Sequence, residues 1–196
     1  MAHEARVERL EGFGMTEADQ REGERFRKLA LPLLDEVYTF ARYLTRDANE
    51  AEDATQETYL RALRYFSGFS GESIKPWLFT ILRNVLRSRD PRRFEPLPEG
   101  DGGEAGNLEP LWGETESDPE VQMARADDAR VLRELVGRLP SVYREALVLK
   151  EFNDFSYRQI AEVTGVPIGT VMSRLARARE ELQTAWFALE KKAKAT

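Results

Sequence analysis

Apolar residues recur every three or four positions in two stretches of this chain, and the stretch between them has no period at all. From Phe26 to Thr45, the residues Leu29, Leu33, Val37, Phe40, Ala41 and Leu44 share one side of a predicted helix. Asp47 suits the N-cap of a second helix running to about Tyr65, where Ala51, Ala54, Thr58, Leu60 and Ala62 alternate with acids. Glycines in Ser67–Gly71 mark a loop. A third helix, with Pro76 in its opening turn, carries Trp77, Leu78, Ile81, Leu82 and Val85 to about Ser88. Trp77, Phe79 and Ile81 are expected in the core.

In the second stretch, Val131, Leu132, Leu135 and Leu139 predict a helix ending at Pro140, and Ser141 is expected to cap the next, with Ala146, Leu147 and Leu149. The densest local signal follows, from Phe155 to Glu181. Ser156 and Gln159 have the spacing of a capping box, and Ile160, Ala161 and Val163 give a short helix its apolar face. Gly165 stands where a helix stop needs a left-handed residue, and Pro167 where the next helix begins. That helix has Val171, Leu175, Ala178 and Leu182 on one side, and Thr170, Ser173, Arg174, Arg177 and Arg179 on the other. Small Ala161 and Gly165 let the two helices cross closely. The pattern is a helix-turn-helix whose second helix fits the major groove of DNA.

The intervening Phe94–Pro119 is dense in proline, glycine and acids, and such a composition buries too little apolar surface to offset the entropy of ordering. The expected fold is therefore all-α, with two small helical domains joined by a flexible acidic linker. The expected boundaries are an N-terminal extension, possible site of disorder, over 1–22, a first domain over 23–93, the linker over 94–122, a second domain over 123–190 and a tail over 191–196.

Charge changes the picture. The net charge of -6 speaks against a nucleic-acid partner until its distribution is examined. Glu95 to Glu120 holds nine acids and no base, whereas Arg83 to Arg93 holds five arginines and one acid. The chain has no cysteine and a single histidine, His3, with no phosphate-binding glycine loop and no metal-ligand spacing, so no catalytic residue, metal site or cofactor is expected. No apolar run approaches the roughly 18 residues of a membrane span, and the charged start lacks a secretion signal. A cytoplasmic protein without direct membrane insertion is expected.

The segment LPSVYREALVLKEFNDFSYRQIAEVTGVPIGTVMSRLARAREEL resembles the −35-binding domain of extracytoplasmic-function (ECF) sigma factors of bacterial RNA polymerase. AEDATQETYLRAL (Ala51–Leu63) and KPWLFTILRNVL (Lys75–Leu86) resemble two signatures of that family's promoter-melting helical bundle. The resemblance implies that Glu52, Asp53, Gln56 and Glu57 dock on the clamp helices of the polymerase's largest subunit, with the second domain on the flap of the other large subunit. It implies a −10 surface in which Asn84 helps line a pocket for a flipped base under the loop Ser67–Ser73. Phe69, Ser70, Lys75 and Arg83 suit stacking and charge contacts there, and Arg87, Arg89, Arg92 and Arg93 suit phosphates. On the recognition helix, Met172, Ser173, Ala176 and Arg177 fall on the family's base-facing positions, with Thr170 and Arg174 beside them. Met172 and Ala176 depart from the longer, more polar residues frequent there. Implied partners are core RNA polymerase, promoter DNA and an anti-sigma factor. The linker is read as either a soluble spacer or a mimic of the transcript's charge. A decoy that binds an anti-sigma factor without reading promoters would be expected to lose the basic residues kept here, and a plain helix-turn-helix repressor would leave the first domain without a role.

Overall fold

The computed structural model describes residues 17–95 and 131–193, and every regular element among them is helical. The first half comprises α1 (Glu17–Ala30), α2 (Leu34–Thr45), α3 (Ala48–Tyr65) and α4 (Ile74–Arg89). The second comprises α5 (131–138), α6 (Ser141–Glu151), α7 (Tyr157–Thr164) and α8 (Ile168–Ala193). The expected extension from 1 to 16, the linker beyond Glu95 and the tail beyond residue 193 lie outside the described residues.

The helix expected from Phe26 to Thr45 is two helices. Pro32 has no N–H to donate, and its ring crowds the preceding turn. The chain answers with a 3₁₀ turn at Leu31–Leu33 before α2 begins. The first helix also starts earlier than expected, at Glu17, inside the span assigned to the extension. Val37, Phe40, Ala41 and Leu44 are buried, whereas Leu29 is exposed. Asp47 caps α3 by accepting from the Glu50 N–H at 2.8 Å. Ser141, expected as a cap, is the first helical residue after Pro140 and makes no capping bond. Phe94, assigned to the linker, is buried at the end of a 3₁₀ turn (Pro91–Phe94), with the Arg83 guanidinium 4.8 Å above its ring.

The two halves share one core. Phe40 meets Phe79 within the first half, and Phe79 meets Phe155 of the second at 5.0 Å. Tyr43 and Phe152 form a second ring contact at 5.0 Å, and α7 lies against α4. An aromatic pair of this kind contributes about 0.5–1.5 kcal/mol beyond its area burial. Arg144 adds a polar tie, donating to the Gly137 carbonyl at 2.7 Å and to the Leu44 carbonyl of α2 at 3.5 Å.

Candidate nucleic-acid and polymerase interfaces

The helix-turn-helix is built as its sequence prescribes. The Ser156 hydroxyl accepts from the Gln159 N–H while the Gln159 side chain accepts from the Ser156 N–H, which closes the capping box. Gly165 ends α7 with φ of 68°, a conformation that side-chain-bearing residues rarely adopt. Val171, Leu175, Ala178 and Leu182 are buried and fix the rotation of α8. Met172 and Ser173 therefore face solvent, with Thr170, Ala176 and Arg177 half-buried beside them. Ser173 donates to the Thr170 carbonyl at 3.0 Å, and Arg177 pairs with Glu180 at 3.0 Å. One other arginine is committed elsewhere. Arg179 bonds Glu151 at 2.7 Å. Arg174 is half-buried, and burial lowers its guanidinium pKa against the opposing pull of the nearby Glu145 carboxylate.

The expected −10 surface is divided. Asn84, Arg87, Arg89, Arg92 and Ser70 are exposed. Phe69 stacks on Phe66 at 5.9 Å and tilts against Trp77 at 5.0 Å, and a Cβ on Gly71 would come within 2.9 Å of its ring. Only glycine lets the loop pass this close to the aromatic group. Lys75 and Arg83 turn the other way. Lys75 pairs with Glu36 and sits 5.4 Å above the Phe155 ring. Arg83, only 7% exposed, donates from Nε to Oε1 of fully buried Glu145 at 2.7 Å. Burial pushes the Glu145 carboxyl above its ordinary range, while Arg83 and Arg174 pull it back. Arg93 is also committed, as a two-pronged bond to Glu50 at 2.8 and 3.1 Å.

Glu52, Asp53 and Gln56 lie open on α3, and Glu57 is half-buried through its 2.6 Å bond to Arg61. Leu60 belongs with them. Read from the sequence as an interior position, it is 62% exposed, one turn beyond Gln56 and Glu57 on the same stripe. Its spacing of seven from Asp53 was the available signal. Glu145 was also missed, because Ser141–Leu149 reads as an apolar brace.

Comparison with known proteins covers both halves. Residues 29–90 match the family model described as Sigma-70 region 2, and residues 129–182 match Sigma-70, region 4. The ECF RNA polymerase sigma factor EcfG of Rhodopseudomonas palustris is 37% identical over 153 residues, covering 78% of this chain and 80% of that protein. The RNA polymerase sigma-H factor of Pseudomonas aeruginosa is 32% identical over 177 residues, covering 87% and 91%. Among solved structures, the sigma factor RpoE of Bartonella quintana, crystallised with the anti-sigma factor NepR, superposes with a TM-score of 0.61 at 28% identity, over 82% of this chain and 96% of that one. CnrH, solved with the cytosolic domain of CnrY, shares the fold with a TM-score of 0.59 at 23% identity, over 85% and 90%.

Proposed function

The chain belongs to the ECF RNA polymerase sigma factors, and from that premise we propose how its surfaces divide the work of transcription initiation. The open stripe of Glu52, Asp53, Gln56 and Glu57 docks on the clamp helices of the largest polymerase subunit, with Leu60 as an apolar anchor at its end. Charges of this kind fix register and speed encounter, while a packed apolar side chain supplies affinity. Thr170, Met172, Ser173, Ala176 and Arg177 read the −35 element. Arg174, half-buried beside them, joins in that reading. Phe69, Ser70, Lys75, Arg83, Asn84 and Arg87 capture the melted −10 strand. The protein acts in the cytoplasm as a specificity subunit without catalysis of its own.

One observation carries this reading: two DNA-reading elements of different kinds occupy one chain, and an acidic helix face lies open beside them. The same geometry implies a second state. Elements centred near −10 and −35 are about two and a half helical turns apart, roughly 85 Å of duplex. With Arg83 in contact with Glu145, the two heads cannot reach that separation. The described form is a closed one that polymerase opens, and an anti-sigma factor holds it closed. The RpoE likeness supports that partner, since that sigma factor was crystallised in complex with the anti-sigma factor NepR.

Run-off transcription with purified core polymerase, on promoters from the source genome, tests the assignment. Start sites that require the chain support it. A folded chain that captures an anti-sigma factor yet starts no transcript would identify a decoy.

A further inference from the structure

A cleft of about 670 Å³ opens between α2 and α5, and none of the residues assigned to the −10 or −35 surface lines it. Thr39, Arg42, Tyr43 and Arg46 form one wall, and Arg133, Glu134, Gly137 and Arg138 form the other. Four arginines thus line one space whose described lining contains a single carboxylate. No salt bridge joins any of the four to a described carboxylate. Nη1 of Arg42 is buried and has no hydrogen-bond partner. Buried donors of charged groups are seldom left this way. Arg144 lies behind the cleft, with its pKa lowered to about 10 by burial and then by the charges of Arg46 and Arg93. Among the described residues, four arginines and one glutamate line this space.

We infer that this cleft is a binding site for a small anion carrying two or more phosphate groups, which bridges the two halves of the protein. Planar guanidinium forks match phosphate oxygens in pairs, so facing arginines can each take one phosphate group. Thr39 and Tyr43 add hydroxyl groups to the same wall. The volume falls in the range of small-molecule sites, about 300–1,000 Å³. A nucleic-acid strand would instead call for cations in file along an open surface. Because the walls come from different halves, bound ligand favours the closed form. By linkage, closure raises affinity for the ligand. The site is thus an effector site acting on the Arg83–Glu145 contact without touching it. It stands independently of which promoters the chain reads.

The test is isothermal titration of the full chain with inorganic tripolyphosphate, at ionic strength held constant with sodium chloride. One saturable site is expected. Arg133→Ser and Arg138→Ser, both at exposed positions that leave the core intact, should each weaken binding about tenfold, equivalent to about 1.4 kcal/mol. Arg133→Lys should recover only part of the loss, because it keeps charge without the fork. Nucleoside triphosphate in a parallel titration separates a nucleotide site from one for the bare phosphate chain, and saturable binding of either supports the inference. Non-saturable heats for both ligands, or equal affinity in the serine variants, would overturn it. So would a single-stranded oligonucleotide that alone binds and alone responds to the variants, because the cleft would then be a strand-backbone site.

Discussion

The acidic face of α3 and the basic face of α4 belong to adjacent helices of the same half, yet only the first is open along its length, since α4 exposes Asn84, Arg87 and Arg89 but not Lys75 and Arg83. Glu52, Asp53 and Gln56 are open, with exposed Leu60 beside them. Lys75 and Arg83, which the sequence places on a DNA-binding surface, are turned against Phe155 and Glu145 of the second half. Residue chemistry alone would rank the two faces as equally ready for a partner. Packing leaves the first face open and covers Lys75 and Arg83 of the second. If the α3 face is the docking surface proposed above, docking needs no rearrangement there and can precede promoter capture.

The largest effect is expected from Glu145→Ala. It leaves the Arg83 guanidinium buried without its partner, at a cost of about 3–5 kcal/mol. The two halves should separate, seen as a larger radius of gyration in small-angle scattering and a lower midpoint in urea. A −10 single strand should then bind the free chain, which would erase the difference between the faces. Leu60→Asp attacks the open face instead. If Leu60 anchors docking, affinity for core polymerase should fall by about 2 kcal/mol, the threshold of an interface hot spot, with the urea midpoint unchanged. Biosensor titration against core enzyme would read this directly. Gly165→Ala forces a Cβ into left-handed backbone and should lower stability by about 1–2 kcal/mol, while leaving both first-half faces as they are. The smallest effect belongs to Arg61→Ala. Loss of its partly exposed pair with Glu57 should change thermal stability by no more than about 0.5 kcal/mol. It frees the Glu57 carboxylate for polymerase, so core-enzyme binding should hold or improve slightly. A marked fall would mean that Arg61 itself touches the partner.

Features set by neighbours in sequence were legible. The Ser156–Gln159 box, the Gly165 stop, the Asp47 cap and the buried row Val171, Leu175, Ala178 and Leu182 each depend on residues within a turn or two, and each is present. Pro32 was legible in principle, but the apolar spacing runs through it without a gap and hid the break. The fate of Arg83 was not legible. An arginine on a helix has the same local signature whether it meets phosphate or a buried carboxylate, and Glu145 lies 62 residues from Arg83. Leu60 shows the converse. It fits an apolar period, yet α3 is rotated so that its alanines and threonines pack inward and Leu60 points out.

The contact between Phe79 and Phe155 has a further consequence during synthesis. Phe79 is made well before Phe155, and the stretch from Asp90 to Phe155 takes roughly 3–13 s at bacterial elongation rates. Throughout that interval the nascent first half carries an aromatic side chain whose cover does not yet exist. Arg83, one turn along α4 from Phe79, then lacks its Glu145 partner, whereas Lys75 keeps Glu36 of the same half. A charge beside an uncovered apolar surface opposes aggregation, which is what Arg83 supplies until Glu145 and Phe155 are made.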